Sequence, residues 1–121
     1  MGMHKPVHLP LRTVNVLNVR EHWAKKARRV KQERAAAYML CGAHWTVYGW
    51  PTLPATVVLR RIAPRKLDEG DNLGASMKGI RDGVAQRLGI NDGGDQVKWR
   101  YEQRKGKPRE YAVEIEIQER A

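Results

Sequence analysis

The apolar positions of this 121-residue chain change their period several times, and each change marks an element. Residues 7–11, Val-His-Leu-Pro-Leu, predict a short strand in which Pro10 suits an edge or a strand end. Asn18, with Glu21 three residues on, has the spacing of a capping box. Trp23, Ala27, Val30, Ala37, Tyr38 and Cys41 follow at mostly helical intervals, and Gly42 is placed to close that amphipathic helix. After a Gly/Trp/Pro-rich connection at 49–54, the β-branched run 55–62 predicts a strand, and 63–71 a polar loop. Leu73, Met77, Ile80, Val84 and Leu88 recur at spacings of four, three, four and four, which predicts a second amphipathic helix from about Asp71 to Leu88.

Turn residues occupy 89–95, and alternation then returns twice. Val97, Trp99 and Tyr101 alternate with Lys98, Arg100 and Glu102; Tyr111, Val113, Ile115 and Ile117 alternate with Ala112, Glu114 and Glu116. The Gly/Pro-containing segment 104–109 between them predicts an antiparallel hairpin. Trp23, Trp99 and Tyr101 read as core, whereas Trp45 and Trp50 are less patterned and are candidates for a dimer contact. The expected architecture is one α+β domain over 1–121, ordered β-α-β-α-β-β, with helices packed on a small mixed sheet.

Composition narrows the function classes. No apolar run approaches the roughly 18 to 20 residues of a membrane helix, and the N-terminus lacks a signal-peptide layout, so a soluble, cytoplasmic protein with no membrane partner is expected. Cys41 is the single cysteine, which excludes an intramolecular disulfide and a cysteine zinc cluster, and the four histidines include no HExxH motif. The segment Gly-Ala-Ser-Met-Lys-Gly at 74–79 lacks the spacing of a phosphate-cradling loop, so no nucleotide cofactor is expected.

The net charge of +10 is unevenly spread. Residues 1–66 carry thirteen Lys or Arg against two Glu, residues 67–95 three against six acids, and residues 96–121 seven against five. A basic body suits a polyanion, because Lys and Arg neutralise phosphates and release counterions. Five of these six acids fall into two groups, Asp68, Glu69 and Asp71 at the start of the second helix and Asp92 and Asp95 after it, with Asp82 between them. A regular helix would also put Asp71, Lys78 and Asp82 on one face, opposite the apolar positions. The plain reading is a first-turn acid and a surface i,i+4 pair.

The sharper reading is a convergent carboxylate cluster. A regular helix of this length holds its ends more than about 20 Å apart, so convergence needs a shorter or broken helix, which Gly70, Gly74 and Gly79 permit. Carboxylates 4 Å apart repel by roughly 4 kcal/mol at an effective dielectric near 20, so such a cluster requires a cation. Oxygen ligands without Cys or paired His favour Mg²⁺, or Mn²⁺, over zinc. Such a cluster on a basic protein suits phosphodiester cleavage. Arg60, Arg61, Arg65 and Lys66, next to the acids in sequence, are candidates to hold DNA phosphates, as is part of the basic first helix. A non-catalytic nucleic-acid-binding accessory protein is the competing reading, in which the acids only form turns.

Three motifs, in order, carry a family resemblance: Glu69-Gly70-Asp71-Asn72-Leu73, then Lys78 to Asp82, then Asp92-Gly93-Gly94-Asp95-Gln96-Val97. With Trp99 to Gly106, they resemble the RusA-type Holliday-junction resolvases of bacteria and phages, most closely over residues 56–105. The resemblance implies a homodimeric, Mg²⁺-dependent endodeoxyribonuclease that recognises four-way DNA junctions by shape and nicks two strands symmetrically. It implies metal acids at Asp71, at Asp68 or Glu69, and at Asp92 or Asp95, and a catalytic lysine at Lys78. Asp82 is expected to orient Lys78 rather than to bind metal.

Overall fold

A computed structural model describes residues 5–13, 23–67, 71–90 and 94–120. The elements are β1 (Val7–Leu9), α1 (Trp23–Tyr48), β2 (Ala55–Ala63), α2 (Asp71–Ser76), α3 (Lys78–Leu88), β3 (Val97–Lys105) and β4 (Ala112–Glu119). The chain is an α+β fold in which three helices pack against a four-stranded mixed sheet of order β1-β4-β2-β3. Among the described residues no helix is long and apolar enough to cross a membrane.

β2 takes the centre because it is apolar on both faces: Val57 and Leu59 are fully buried toward the helices, Val58 and Ile62 on the other side. It pairs in parallel with β3, Ala55 opposite Val97 and Ala63 opposite Lys105, and antiparallel with β4. The expected hairpin between the last two strands therefore does not form. β3, whose alternate positions are Lys98, Arg100 and Arg104, goes to the edge where charged side chains reach water, and β4 inserts on the opposite side of β2. Gly106 follows the last residue of β3 and lies beside the end of β2, its N–H donating to the Ala63 carbonyl at 2.8 Å.

α1 runs past Gly42 to Tyr48 rather than closing at the glycine. Gly42 is buried, and a Cβ there would meet the Arg87 guanidinium of α3; the helix must continue to bring Trp45, 1 % exposed, into the core. Trp45 is thus a core residue and not a free dimer contact, whereas Trp23, expected in the core, is 76 % exposed. Helical phase orients a side chain, but burial needs an element beneath it, and α3 meets α1 around Val30 to Ala37. The capping box at Asn18 to Glu21 lies outside the described residues.

The predicted single helix 71–88 is two. Met77 interrupts it at φ −106°, ψ 5°, with its N–H donating to the Gly74 carbonyl in a tight turn and its own carbonyl accepting from Arg81. Leu73, Met77, Ile80 and Val84 all remain buried across the break. α3 then lies directly on α1: a Cβ on Gly83 would run into the Arg34 carbonyl and the Ala37 methyl, and one on Gly79 would sit 2.8 Å from the Val30 carbonyl. Two glycines four residues apart let the two backbones touch.

Candidate nucleic-acid interface

The break at Met77 starts α3 at Lys78 and so sets the placement of the candidate lysine. The Lys78 side chain is 72 % exposed, with Nζ 3.7 Å from Asp82 Oδ2 one turn on, the pair expected from the spacing. Lys78 and Asp82 line an open recess of about 330 Å³ together with Gly74, Ala75, Arg81 and Tyr101. Arg81 is held there by β3: Nη1 donates to Tyr101 Oη at 2.8 Å, and the guanidinium lies 4.8 Å above the Trp99 ring. Trp99 and Tyr101, expected in the core, are partly buried and packed against it, and Arg81 carried no expected role. Only its position three residues after Lys78 hinted that it would flank the same recess.

On the other side of Lys78, a cleft of about 180 Å³ opens between α1 and the helix break, lined by Lys26, Arg29, Val30, Glu33, Ser76 and Gly79 among others. Glu33 is 8 % exposed, and its carboxylate reaches the first turn of α3, 3.1 Å from where a Gly79 Cβ would sit. α3 has no side-chain cap of its own at Met77, so this acid from α1 lies where the helix dipole favours negative charge.

The four basic residues proposed for phosphate contact separate into two kinds. Arg60 points to the open face of the sheet, where it binds Glu102, Glu114 and Glu116 at 2.9, 3.1 and 3.3 Å. Burial pulls its pKa down, but the hydrogen bonds it donates to these glutamates outweigh that and hold it above the ordinary arginine value. Arg61 points the other way and is 9 % exposed; Nε donates to Thr13 Oγ1 at 3.1 Å and Nη1 to the Arg65 carbonyl at 2.7 Å. Burial lowers its pKa, opposed by Tyr111 and reinforced by Arg12. Both guanidinium groups are therefore engaged within the protein. Arg65 and Lys66 are exposed.

Of the expected metal acids, Asp68, Glu69 and Asp92 lie outside the described residues. Asp71 opens α2 and Asp95 precedes β3. The chain before α2 is pinned at Leu67, whose N–H and carbonyl bond the Gln103 amide at 2.8 and 2.7 Å, and Gly74 lies against the Tyr101 ring. Asp95 is pinned at the other end of β3, its carbonyl accepting from Arg120 at 3.2 Å. The parallel crossover thus holds Asp71 and Asp95 some six strand residues apart, on the order of 20 Å. The backbone at Asp71 and at Asp95 thus lies toward opposite ends of β3. Among the described residues no three His, Cys, Asp or Glu side chains converge as a metal site.

No protein-family model matches the chain. No solved structure matches it either. It is similar to a protein of Xylella fastidiosa (strain Temecula1 / ATCC 700964) described as "Uncharacterized protein", with 35 % identity over 78 residues, 62 % of this chain and 51 % of the relative. The chain thus spans about half the length of the relative it matches.

Proposed function

We propose that this chain is a Mg²⁺-dependent endodeoxyribonuclease that resolves four-way DNA junctions as a homodimer. The observation that carries the reading is the Lys78–Asp82 pair beside Arg81 in an open recess at the start of α3, one short helix after Asp71. The family resemblance stated for the sequence supports the same assignment. A bound divalent cation supplies an activated water and charge neutralisation at the scissile phosphate. Asp71, with Asp68 or Glu69, holds that cation, and Lys78 stabilises charge developing on the phosphoryl oxygens. Asp82 orients Lys78, and Arg81, clamped by Trp99 and Tyr101, adds a second positive group at the recess wall. Arg65 and Lys66 hold flanking phosphates.

The separation of Asp71 from Asp95 bears on the dimer. If Asp92 or Asp95 completes the ion site, it does so from a second copy, and the site exists only in the dimer. A mixing experiment tests this directly on a synthetic four-way junction with and without Mg²⁺. Asp71→Asn alone, and the Asp92→Asn/Asp95→Asn double variant alone, are expected to be inactive. Their mixture is expected to regain nicking of one strand, because half of the sites in a mixed dimer are intact. Undiminished cleavage by Asp71→Asn sinks the metal assignment, and two inactive variants that stay inactive after subunit exchange sink the shared site.

The same separation favours a second reading if the chain is monomeric: a basic nucleic-acid-binding accessory protein, in which both acid groups only shape turns. Mg²⁺-independent binding to single-stranded, duplex and junction DNA alike, with no cleavage, is its signature.

A further inference from the structure

Arg87, in the last turn of α3, is held by aromatic rings instead of by an acid. Its guanidinium packs against Gly42 of α1, 4.4 Å from the Tyr38 ring centre and 5.3 Å from that of Trp50. Nε is buried with no hydrogen-bond partner, and among the described residues no carboxylate pairs with the group. The sequence itself has no acid between Glu33 and Asp68. Trp50 is 46 % exposed although the backbone around it is fixed. The Gly49 N–H donates to the Trp45 carbonyl at 2.8 Å, and Thr52 donates from N and Oγ1 to Glu119 Oε2, each at 2.7 Å. Trp45 meets the Trp50 ring at 5.6 Å and tilted by 58°, so it does not stack flat on it. Given about 150 to 250 Å² for a large aromatic side chain, on the order of 100 Å² of Trp50 meets water.

We infer that Trp50 and Arg87, with Tyr38 fixing the guanidinium from α1, form a platform for an unpaired nucleobase of a single-stranded polynucleotide. The base stacks on the indole, and Arg87 donates to a phosphate beside it. An aromatic ring reinforced by an arginine accepts any base, because every base has a π-face. Charge selects the occupant. Lys31, Arg34 and Tyr38 succeed one another at i+3 and i+4 on α1, and both cations are exposed, so a backbone leaving the platform meets a positive group at each turn, about 5.4 Å apart. An acidic peptide would meet the same cations but lay nothing flat on the indole; a free nucleotide would gain the stack without the cations. Duplex DNA keeps its bases inside the stack, so the platform acts on unpaired nucleotides alone. The inference rests on the nucleic-acid partner common to both readings above, and not on cleavage chemistry.

The test is equilibrium binding of fluorescent oligothymidylate in EDTA, where no metal-dependent cutting occurs, read by anisotropy. Wild type is expected to bind it roughly 5- to 150-fold more tightly than a strand of equal length whose central nucleotides are abasic, which keeps every phosphate. Trp50→Ala is expected to lose that preference and Trp50→Tyr to keep most of it. The preference is a ratio between two ligands of one protein, so a partly unfolded variant does not distort it. Arg87→Gln is expected to weaken both strands and to lower the slope of log affinity against log salt by about 0.7. Equal binding of intact and abasic strands by wild type, or a preference unchanged in Trp50→Ala, overturns the inference. So does displacement by polyglutamate or free thymidylate that matches displacement by unlabelled oligothymidylate. A chain that binds no strand overturns the nucleic-acid reading as well, whereas one that binds but ignores the missing bases overturns the platform alone.

Discussion

Arg60 and Arg61 are chain neighbours on the central strand, yet they belong to two different proteins in a physical sense. Arg60 lies on the bare face of the sheet, where one row across the four strands reads His8, Glu114, Arg60 and Glu102. Charge there is matched by charge: Arg100 pairs with Glu102 at 2.8 Å and Arg104 with Glu114 at 3.4 Å, extending the network around Arg60. Arg61 lies on the covered face, in register with Val113 and Gln103, and is one of the few charged groups buried there. The covered face is held by close packing, the bare face by a lattice of partly solvated ion pairs. Strand alternation alone decides which of two adjacent arginines is a surface ion and which a buried donor.

The largest expected effect falls on the covered side. Gly83→Val must push a side chain into the Arg34 carbonyl and Ala37, both held by α1, and neither can move without separating the helices. A loss of about 3 kcal/mol or more, or failure to fold, is expected from chemical denaturation. Wild-type stability in this variant would show that the α1–α3 contact is not tight. Next is Cys41, whose thiol burial pushes its pKa to about 12 against Arg87's weaker pull downward. The unfolded thiol ionises near 9, so stability is fully present below that pH and is lost as pH rises from about 9 toward 12. Alkylation at pH 9 should therefore be slow in the native protein and fast in denaturant, and Cys41→Ala should flatten stability across that pH window. Rapid native alkylation at pH 9 would place the thiol in contact with water.

Much of the covered side was legible in the sequence because its signal is periodic. Leu73, Met77, Ile80 and Val84 were expected to be buried and are, and both late strands alternate as read. That periodicity also concealed the break at Met77, since the apolar phase is preserved across it. The missed signal was spacing: Gly79, expected to weaken the helix, and Gly83, which carried no expectation, instead permit close approach to α1. Strand order was not legible, because it depends on which strand wins the centre, a competition that β2 settles through burial on both faces. In the candidate site the i,i+4 pair of Lys78 and Asp82 was readable from one helix. The clamp on Arg81 was not, because it depends on how β3 lies against α3.

The smallest effects separate the two faces from the candidate interface. Arg60→Ala leaves three glutamates facing one another on a partly screened surface, and about 1 to 2 kcal/mol of stability is expected to be lost. Arg61→Ala should cost a similar amount through the abandoned Thr13 and Arg65 contacts. If the chain binds DNA as proposed, neither should alter the salt dependence of that binding, because both guanidinium groups are held by partners within the protein. Arg65→Ala and Lys66→Ala should do the reverse: leave the thermal midpoint unchanged while each lowers the slope of log affinity against log salt by about 1. Titrating a fluorescent junction at several salt concentrations reads this slope without any cleavage. A reduced slope for Arg60→Ala, with none for Arg65→Ala, would mean that the open face of the sheet meets DNA and that its glutamates release Arg60 on binding.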